Sequence, residues 1–261
     1  MLNPGAIWGY NVATKKSSPM AHTPSDDLPA DDLTSTDSPR TEHRANLLHG
    51  EELIFLDRAI YVPGQQALLL SDLHLGKAET FQLAGIPIAQ QVNDETLEEL
   101  RSHLAQWQPQ RVFILGDLFH SRQGLVPELA AVWSQLLAEA EARFTLIVGN
   151  HDRAALGDPF DMDYSTQPVP LGQLVLSHEP VDPTTLTRDQ LNICGHIHPV
   201  VELKGMVDSL RLPCFYYERP SQRLIMRAFG AFTGGYEMAM KKGVTAYIPM
   251  DGGMMALDIP D

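Results

Sequence analysis

Residues 112–117 read VFILGD, four apolar residues followed by a glycine and an aspartate. The apolar run predicts a short buried strand, and the polar residues predict a loop at the carboxyl end of that strand. Four more apolar runs are followed by the same kinds of polar residue. Their sequences are LLL then SDLH at 68–74, LIV then GNHD at 146–152, LVL then SH at 174–178, and LNIC then GHIH at 191–198.

Stretches with helical periodicity lie between the three runs that come first along the chain, at 68–70, 112–115 and 146–148. Apolar residues recur at three- and four-residue steps in two stretches, first Leu97, Leu100, Leu104 and Trp107, then Leu129, Val132, Trp133, Leu136 and Leu137. Buried strands that alternate with amphipathic helices predict an α/β fold.

The chain before and after this region reads as strands alone. Residues 52–56 and 59–62 predict a hairpin. After residue 170 the helical spacing stops, and turns rich in Gly, Pro and Asp separate short apolar runs. These predicted strands are 174–176, 191–194, 200–203, 212–217, 224–226, 245–248 and 255–257. We therefore expect a mixed sheet or two packed sheets.

The chain has 261 residues and a formal net charge of −14. This acidic balance argues against an extended basic face that wraps nucleic acid, although a bound metal can make a local site positive. The two cysteines, Cys194 and Cys214, predict free thiols in a reducing compartment. No apolar run reaches the roughly 18–20 residues that span a bilayer, and no signal peptide is visible. We expect a cytoplasmic protein without a membrane partner.

The N-terminal residues 1–46 differ from the rest in composition. The stretch 15–44 is rich in Ser, Thr, Pro and Asp and cannot bury enough apolar surface to offset the entropy of ordering. We expect a disordered tail over 1–46 and one folded domain over 47–261. Translation starts at Met1 or at Met20, and the sequence leaves this open.

The polar residues after the five apolar runs are expected to meet in space. Loops at the carboxyl ends of strands form the binding crevice of an open α/β sheet. Such a cluster of charged groups requires a compensating cation. Carboxylate, carboxamide and imidazole groups together suit manganese, iron or zinc.

The ordered series of these motifs resembles the calcineurin-like metallophosphoesterase superfamily over roughly residues 67–200. The resemblance implies a β-sandwich of two mixed sheets flanked by helices, in four layers α-β-β-α. It also implies two divalent metal ions, manganese with iron or zinc as alternatives. One ion would be held by Asp72, His74 and His198, the other by Asn150, His178 and His196, with Asp117 bridging both.

A narrower resemblance rests on SDLHLGKAETFQLAGIP at 71–87, GDLFHS at 116–121 and AFGAFTGG at 228–235. These stretches are similar to the bacterial ligase-associated DNA damage response phosphodiesterases, which are described as endonucleases. The resemblance implies a DNA substrate, with an ATP-dependent DNA ligase and a helicase as partners.

Residues near the implied ligands receive roles from the same resemblance. His151 would contact the phosphoryl oxygen or protonate the leaving alcohol, and Asp152 would orient the ring of His151. His120, Lys77, Arg122 and Arg153 contact substrate or are ordinary loop and surface residues. His22, His43, His49 and His103 are expected to lie outside the function. The glycines of 228–235 are expected to pack closely beside the site.

Two other functions remain open. The same metals could serve a small-molecule phosphodiesterase or pyrophosphatase that acts on a nucleotide or lipid-precursor conjugate. A deep closed pocket would favour that substrate class, and an open trough would favour a polymer. A non-catalytic scaffold is disfavoured, because relatives of that kind usually lose ligands or the catalytic histidine, and here all are present.

Overall fold

The apolar runs form strands in the computed structural model, which describes residues 43–48, 51–88, 91–155, 160–205, 208–251 and 253–259. The predicted tail lies outside the described residues up to residue 42, as do His22 and His49. Residues 43–46, which the prediction placed in the tail, instead lie in a strand that pairs with residues 51–55, so the folded part begins earlier than residue 47. The described residues belong to the unit Pro39–Asp261.

The described residues contain four α-helices and seventeen strands. The helices are α1 (Lys77–Leu83), α2 (Gln91–Trp107), α3 (Pro127–Glu139) and α4 (Asp152–Ala155). The strands are β1 (His43–Leu48), β2 (Glu51–Phe55), β3 (Ile60–Val62), β4 (Ala67–Leu70), β5 (Arg111–Ile114), β6 (Arg143–Ile147), β7 (Asp163–Ser165), β8 (Val169–Leu171), β9 (Leu174–Ser177), β10 (Leu191–Cys194), β11 (Pro199–Lys204), β12 (Ser209–Pro213), β13 (Phe215–Glu218), β14 (Arg223–Ile225), β15 (Tyr236–Glu237), β16 (Val244–Met250) and β17 (Gly253–Asp258).

Both large sheets are mixed. The first has the order β1-β2-β3-β4-β5-β6-β7, in which β4 to β7 are parallel and the preceding strands antiparallel. The second has the order β17-β16-β13-β14-β10-β9-β8, in which β14, β10 and β9 are parallel. Helices α2 and α3 connect the parallel strands β4, β5 and β6, as parallel pairing requires.

The two sheets pack face to face through one apolar layer. Phe55 and Phe113 of the first sheet share this layer with Leu176, Ile193 and Phe215 of the second. The rings of Phe55 and Phe215 meet edge to face with centroids 5.1 Å apart. The predicted β-sandwich of two mixed sheets is therefore confirmed.

Helices cover the outer face of the first sheet, as predicted. Leu100 of α2 and Trp133 of α3 are buried against Val112 and Ile114 of β5. The apolar stripes read from the sequence are the faces that these helices bury.

The outer face of the second sheet is covered differently from the four-layer expectation. Within the described residues, Val201 of β11 packs against Tyr216 and Ala246, and Met238 and Met240 pack beside them. Strand β11 belongs to a small third sheet of order β12-β11-β15. The fourth layer is a sheet here because this part of the chain has strand periodicity and lacks helical spacing.

The predicted strand 212–217 is divided between two sheets. Residues up to Pro213 belong to β12, and Phe215 begins β13. The amide of Cys214 donates to the carbonyl oxygen of Pro199 at the break. Cys194 and Cys214 are both free and buried, as predicted. No helix among the described ranges is long and apolar enough to cross a membrane.

Candidate metal centre

The strand-end loops have an unusual backbone conformation at the predicted ligands. Asp72, His74, Asp117, His196 and His198 all have positive φ, with values of 55°, 49°, 53°, 68° and 53°. Non-glycine residues adopt this region rarely and at some cost in energy. Five strained residues at the same edge of the sandwich indicate a functional site.

The first predicted ligand group is assembled. His198 Nε2 lies 3.1 Å from Asp72 Oδ1 and 3.3 Å from His74 Nε2. The carboxylate of Asp72 is fully buried and accepts the backbone N–H of His196.

The second predicted group is assembled beside it. His178 Nε2 lies 2.9 Å from Asn150 Oδ1 and 3.1 Å from His196 Nδ1. Asn150 and His196 are exposed, whereas His178 is buried. One side of the centre is therefore open to solvent.

Asp117 lies between the two groups. Its Oδ1 is 3.5 Å from His178 Nε2, and its Oδ2 is 3.9 Å from His74 Nε2. The backbone N–H of His151 donates to Oδ1 at 3.0 Å. The two carboxylate oxygens thus face different groups, which is the position that a bridging ligand requires.

The hydrogen bonds of the His178 and His198 rings bear on whether these residues are suited to bind metal ions. His178 Nδ1 donates to the carbonyl oxygen of Leu115 at 2.9 Å, and His198 Nδ1 donates to that of Gly234 at 3.1 Å. In its neutral form His178 then has its lone pair on Nε2, which faces the oxygen of Asn150. Facing acceptors repel one another unless a cation lies between them. Backbone carbonyls that orient the second nitrogen are also typical of metal-binding histidines.

The pKa values agree with this electrostatic picture. Burial lowers the pKa of His74 to about 3, so its ring is neutral and able to bind a metal. Burial alone would lower the pKa of His198, but the hydrogen bond and charge of Asp72 raise it. Burial would raise the pKa of Asp72, but the hydrogen bond from His198 and the neighbouring histidines lower it. The centre favours a carboxylate beside positive charge.

The glycines before Asp117, Asn150 and His196 are required mainly by close approach. Only Gly116 has positive φ, at 84°. A Cβ at Gly149 would collide with Asp117 Oδ1, and one at Gly195 would lie 2.6 Å from Asp72 Oδ2. These glycines leave room for the carboxylates.

His151 faces the first group, but Asp152 does not orient its ring, so that prediction is wrong. His151 Nδ1 donates to the carbonyl oxygen of His120 at 2.7 Å. The buried carboxylate of Asp152 instead accepts the backbone N–H groups of Asp117 (2.8 Å), Gly149 (2.9 Å) and Phe119 (3.1 Å). Asp152 therefore links the loop that contains Asp117 to the loop that contains Gly149. Three backbone N–H donors stabilise its carboxylate more than one imidazole ring would.

His120 and Lys77 lie at the centre. The His120 ring stacks on that of His151 with centroids 4.9 Å apart, and it meets His74 edge on. Burial lowers the pKa of His120 to about 4, with further lowering by His151 and Lys77. Lys77 Nζ is 5.3 Å from the centroid of the Phe232 ring.

The remaining polar candidates form no contact with the predicted ligands among the contacts of the described residues. Arg122 and Arg153 are exposed and form no hydrogen bond or ion pair with a described residue. His103 is buried in α2, where its ring is 6.0 Å from that of Phe229. Three arginines that were not expected from the sequence line a cavity with His198, namely Arg58, Arg211 and Arg227. The sequence signal for Arg227 is its place directly before AFGAFTGG.

The glycine-rich segment 228–235 packs against the first motif. The N–H of Gly230 donates to the carbonyl oxygen of Asp72 at 3.1 Å, and a Cβ there would collide with the backbone of Leu73. A Cβ at Gly235 would lie 2.5 Å from Val200. Close packing, the expectation for this segment, is confirmed at both glycines.

Comparisons with known proteins agree with this geometry. A family model described as calcineurin-like phosphoesterase matches residues 66–218. The nuclease MPE of Pseudomonas putida is 32% identical, with a TM-score of 0.70 and coverage of 83% of this chain and 100% of that chain. The phosphoesterase Yfce of E. coli is 17% identical, with a TM-score of 0.36 and coverage of 74% and 99%. A protein of unknown function from Aquifex aeolicus, AQ665, is 19% identical, with a TM-score of 0.35 and coverage of 51% and 78%. No curated protein matches the chain.

Proposed function

Because the chain belongs to the calcineurin-like phosphoesterase family, as the match over residues 66–218 and the 32% identity to a nuclease show, we propose that it is a dinuclear metal-dependent phosphodiesterase that cleaves DNA. Membership of this family makes the chain a hydrolase. The observation that carries the proposal is the position of Asp117, with one carboxylate oxygen toward each of two ligand groups.

Seven residues would hold the ions. They are Asp72, His74 and His198 for one, Asn150, His178 and His196 for the other, and Asp117 for both. Two divalent ions, when bound, polarise a phosphoryl oxygen and lower the pKa of a water. Four imidazoles with three oxygen ligands suit manganese, with iron or zinc as alternatives.

His151 is proposed as the residue that moves a proton. The carbonyl oxygen of His120 keeps a proton on Nδ1 of His151. In the imidazolium form the ring also has a proton on Nε2, which it would give to the leaving oxygen or donate in a hydrogen bond to the phosphoryl group. Proton donation of this kind contributes typically about 10²–10⁴ in rate.

Two observations support DNA over a small molecule. The similarity to the Pseudomonas putida nuclease extends over the whole of that chain. Asn150 and His196 are exposed, so the centre faces solvent and a polymer can approach it. Action as an endonuclease in ligase-associated repair, with an ATP-dependent DNA ligase and a helicase as partners, belongs to the same proposal.

The test is a substrate panel with manganese, iron and zinc in separate reactions. Single-stranded, nicked and duplex DNA are compared with cyclic nucleotides and nucleoside diphosphate conjugates. We expect endonucleolytic products from DNA, greatest with manganese, and loss of those products in Asp117→Ala. Hydrolysis of the small molecules without any cleavage of DNA, even with ligase and helicase present, would instead establish the small-molecule reading.

A further inference from the structure

A cavity of ≈ 210 Å³ adjoins the metal centre and is lined by Arg58, Arg211 and Arg227. His198 forms part of its wall, so the cavity begins at one of the ligands proposed above. We call it the arginine cavity. It is smaller than the roughly 300–1,000 Å³ of pockets for whole small ligands, and so suits one group of a larger molecule.

The charge of the arginine cavity is opposite to that of the protein. Among the described residues, its walls include three arginines and no acidic side chain. Other surface cavities present acidic groups, such as Glu98 and Glu99 in one and Glu139 and Glu141 in another. In a chain of net charge −14, a wall whose acid–base side chains are arginines and a histidine marks a place that attracts anions.

Two of the arginines form ion pairs with acidic residues and still have N–H groups that these pairs do not use. Arg227 Nη1 contacts Asp57 Oδ1 at 2.8 Å, and Arg58 Nη1 contacts Glu99 Oε2 at 3.2 Å. Neither Asp57 nor Glu99 lines the cavity. A guanidinium has five N–H donors, so both side chains are positioned from behind and keep donors for a ligand. Burial lowers the pKa of Arg227, and an anion would offset that cost.

The glycine-rich segment connects the arginine cavity to the centre. Arg211 Nη2 donates to the carbonyl oxygen of Gly235 at 3.2 Å. The neighbouring carbonyl oxygen of Gly234 accepts from His198 Nδ1 at 3.1 Å. A Cβ at Gly234 would meet nothing within 4 Å, so the segment leaves open space there.

We propose that the arginine cavity binds a phosphate group of the substrate strand next to the phosphate that is cleaved. Planar guanidinium groups match the geometry of phosphate oxygens. This inference rests on the proposed function and deepens it: the substrate presents at least two phosphates, one at the metal centre and one at the arginines. A nucleic acid strand has this property, whereas a simple diester does not.

The test compares two substrates in Arg58→Gln and Arg211→Gln. Bis-p-nitrophenyl phosphate has one phosphate, and a single-stranded oligonucleotide has many. We expect the ratio of kcat/KM for the oligonucleotide to kcat/KM for the diester to fall about tenfold, equivalent to about 1.4 kcal/mol. Arg101→Gln removes an arginine on α2 outside the cavity and should leave the ratio unchanged. Arg211→Lys, which keeps the charge, should recover part of the loss.

Binding provides a second measurement that does not require turnover. Fluorescence anisotropy of a labelled oligonucleotide gives Kd at several salt concentrations. Each phosphate contact removed should lower the slope of log K against log salt by about 0.7 for a single strand. Thermal melting establishes that each variant is folded.

The outcomes separate this inference from the proposed function. If the wild type cleaves DNA but the ratio and the salt slope are unchanged in the glutamine variants, the arginine cavity is not a phosphate site and the proposed function stands. If oligonucleotide binding depends on the arginines but DNA is not cleaved, the proposed endonuclease activity is overturned and the arginine cavity is supported as a phosphate site. Absence of both binding and cleavage would overturn both.

Discussion

The contact between His151 Nδ1 and the carbonyl oxygen of His120 gives the first prediction at the scale of single residues. We expect His151→Ala to lower kcat for a single-stranded oligonucleotide by about 10²–10⁴ and to keep its metal content, because the role proposed for the ring is proton donation and not metal binding. Elemental analysis beside kinetics checks this. If metal content and activity fell together, the assigned role would be wrong.

The second residue-scale prediction concerns stability and the buried carboxylate of Asp152. Its carboxylate is 0% exposed and accepts three backbone N–H groups, and an asparagine cannot accept at both positions. We expect Asp152→Asn to reduce the free energy of unfolding by about 2–3 kcal/mol, since a buried donor loses its partner. Urea denaturation measures it. The matched control is Asp182→Asn, an exposed carboxylate that also accepts a backbone N–H, which should cost less than about 1 kcal/mol.

The strand-end loops carry the prediction at the scale of elements. Gly195 directly follows β10 and lies beside Asp72, where an added Cβ would lie 2.6 Å from Oδ2. We expect Gly195→Ala to displace Asp72, weaken metal binding and cost about 1–3 kcal/mol in stability, because a packed site has no room for a methyl group. Isothermal titration with manganese checks this. Gly64→Ala, whose Cβ would meet only Glu51 at 3.7 Å, should bind manganese like the wild type.

At the scale of the whole molecule, the candidate metal centre contains residues from loops of both large sheets. Asp72 and Asp117 follow strands of the first sheet, and His178 and His198 follow strands of the second. Metal binding should therefore stabilise the native sandwich. We expect manganese at about 100 times its Kd to add about 2.7 kcal/mol to the stability of EDTA-treated protein. The melting temperature should rise with manganese concentration in the wild type and in Asp182→Asn, and should rise much less in Asp117→Ala. A melting temperature that does not change with manganese concentration would contradict this prediction.

Local chemistry in the sequence was sufficient for most of the elements and for the polar residues that the structure gathers at the candidate site. The periodicity of Leu100 and Trp133 identified the buried faces of α2 and α3, because the helical repeat is a property of neighbours along the chain. Strands such as β9 and β10 were recognisable for the same reason. The short strands β7 and β15 were not recognised, since Asp163–Ser165 and Tyr236–Glu237 have no apolar run and depend on pairing with β6 and β11.

What the sequence determined by itself is the order of strands and polar loops, and hence which side chains stand at one edge. Only the tertiary structure decided that Asp117 lies between two ligand groups, that Asp152 joins two loops, and that three arginines border His198. The physical reason is separation along the chain. Asp72 meets His198 only after two sheets have packed, and no local pattern of residues encodes the distance across that interface.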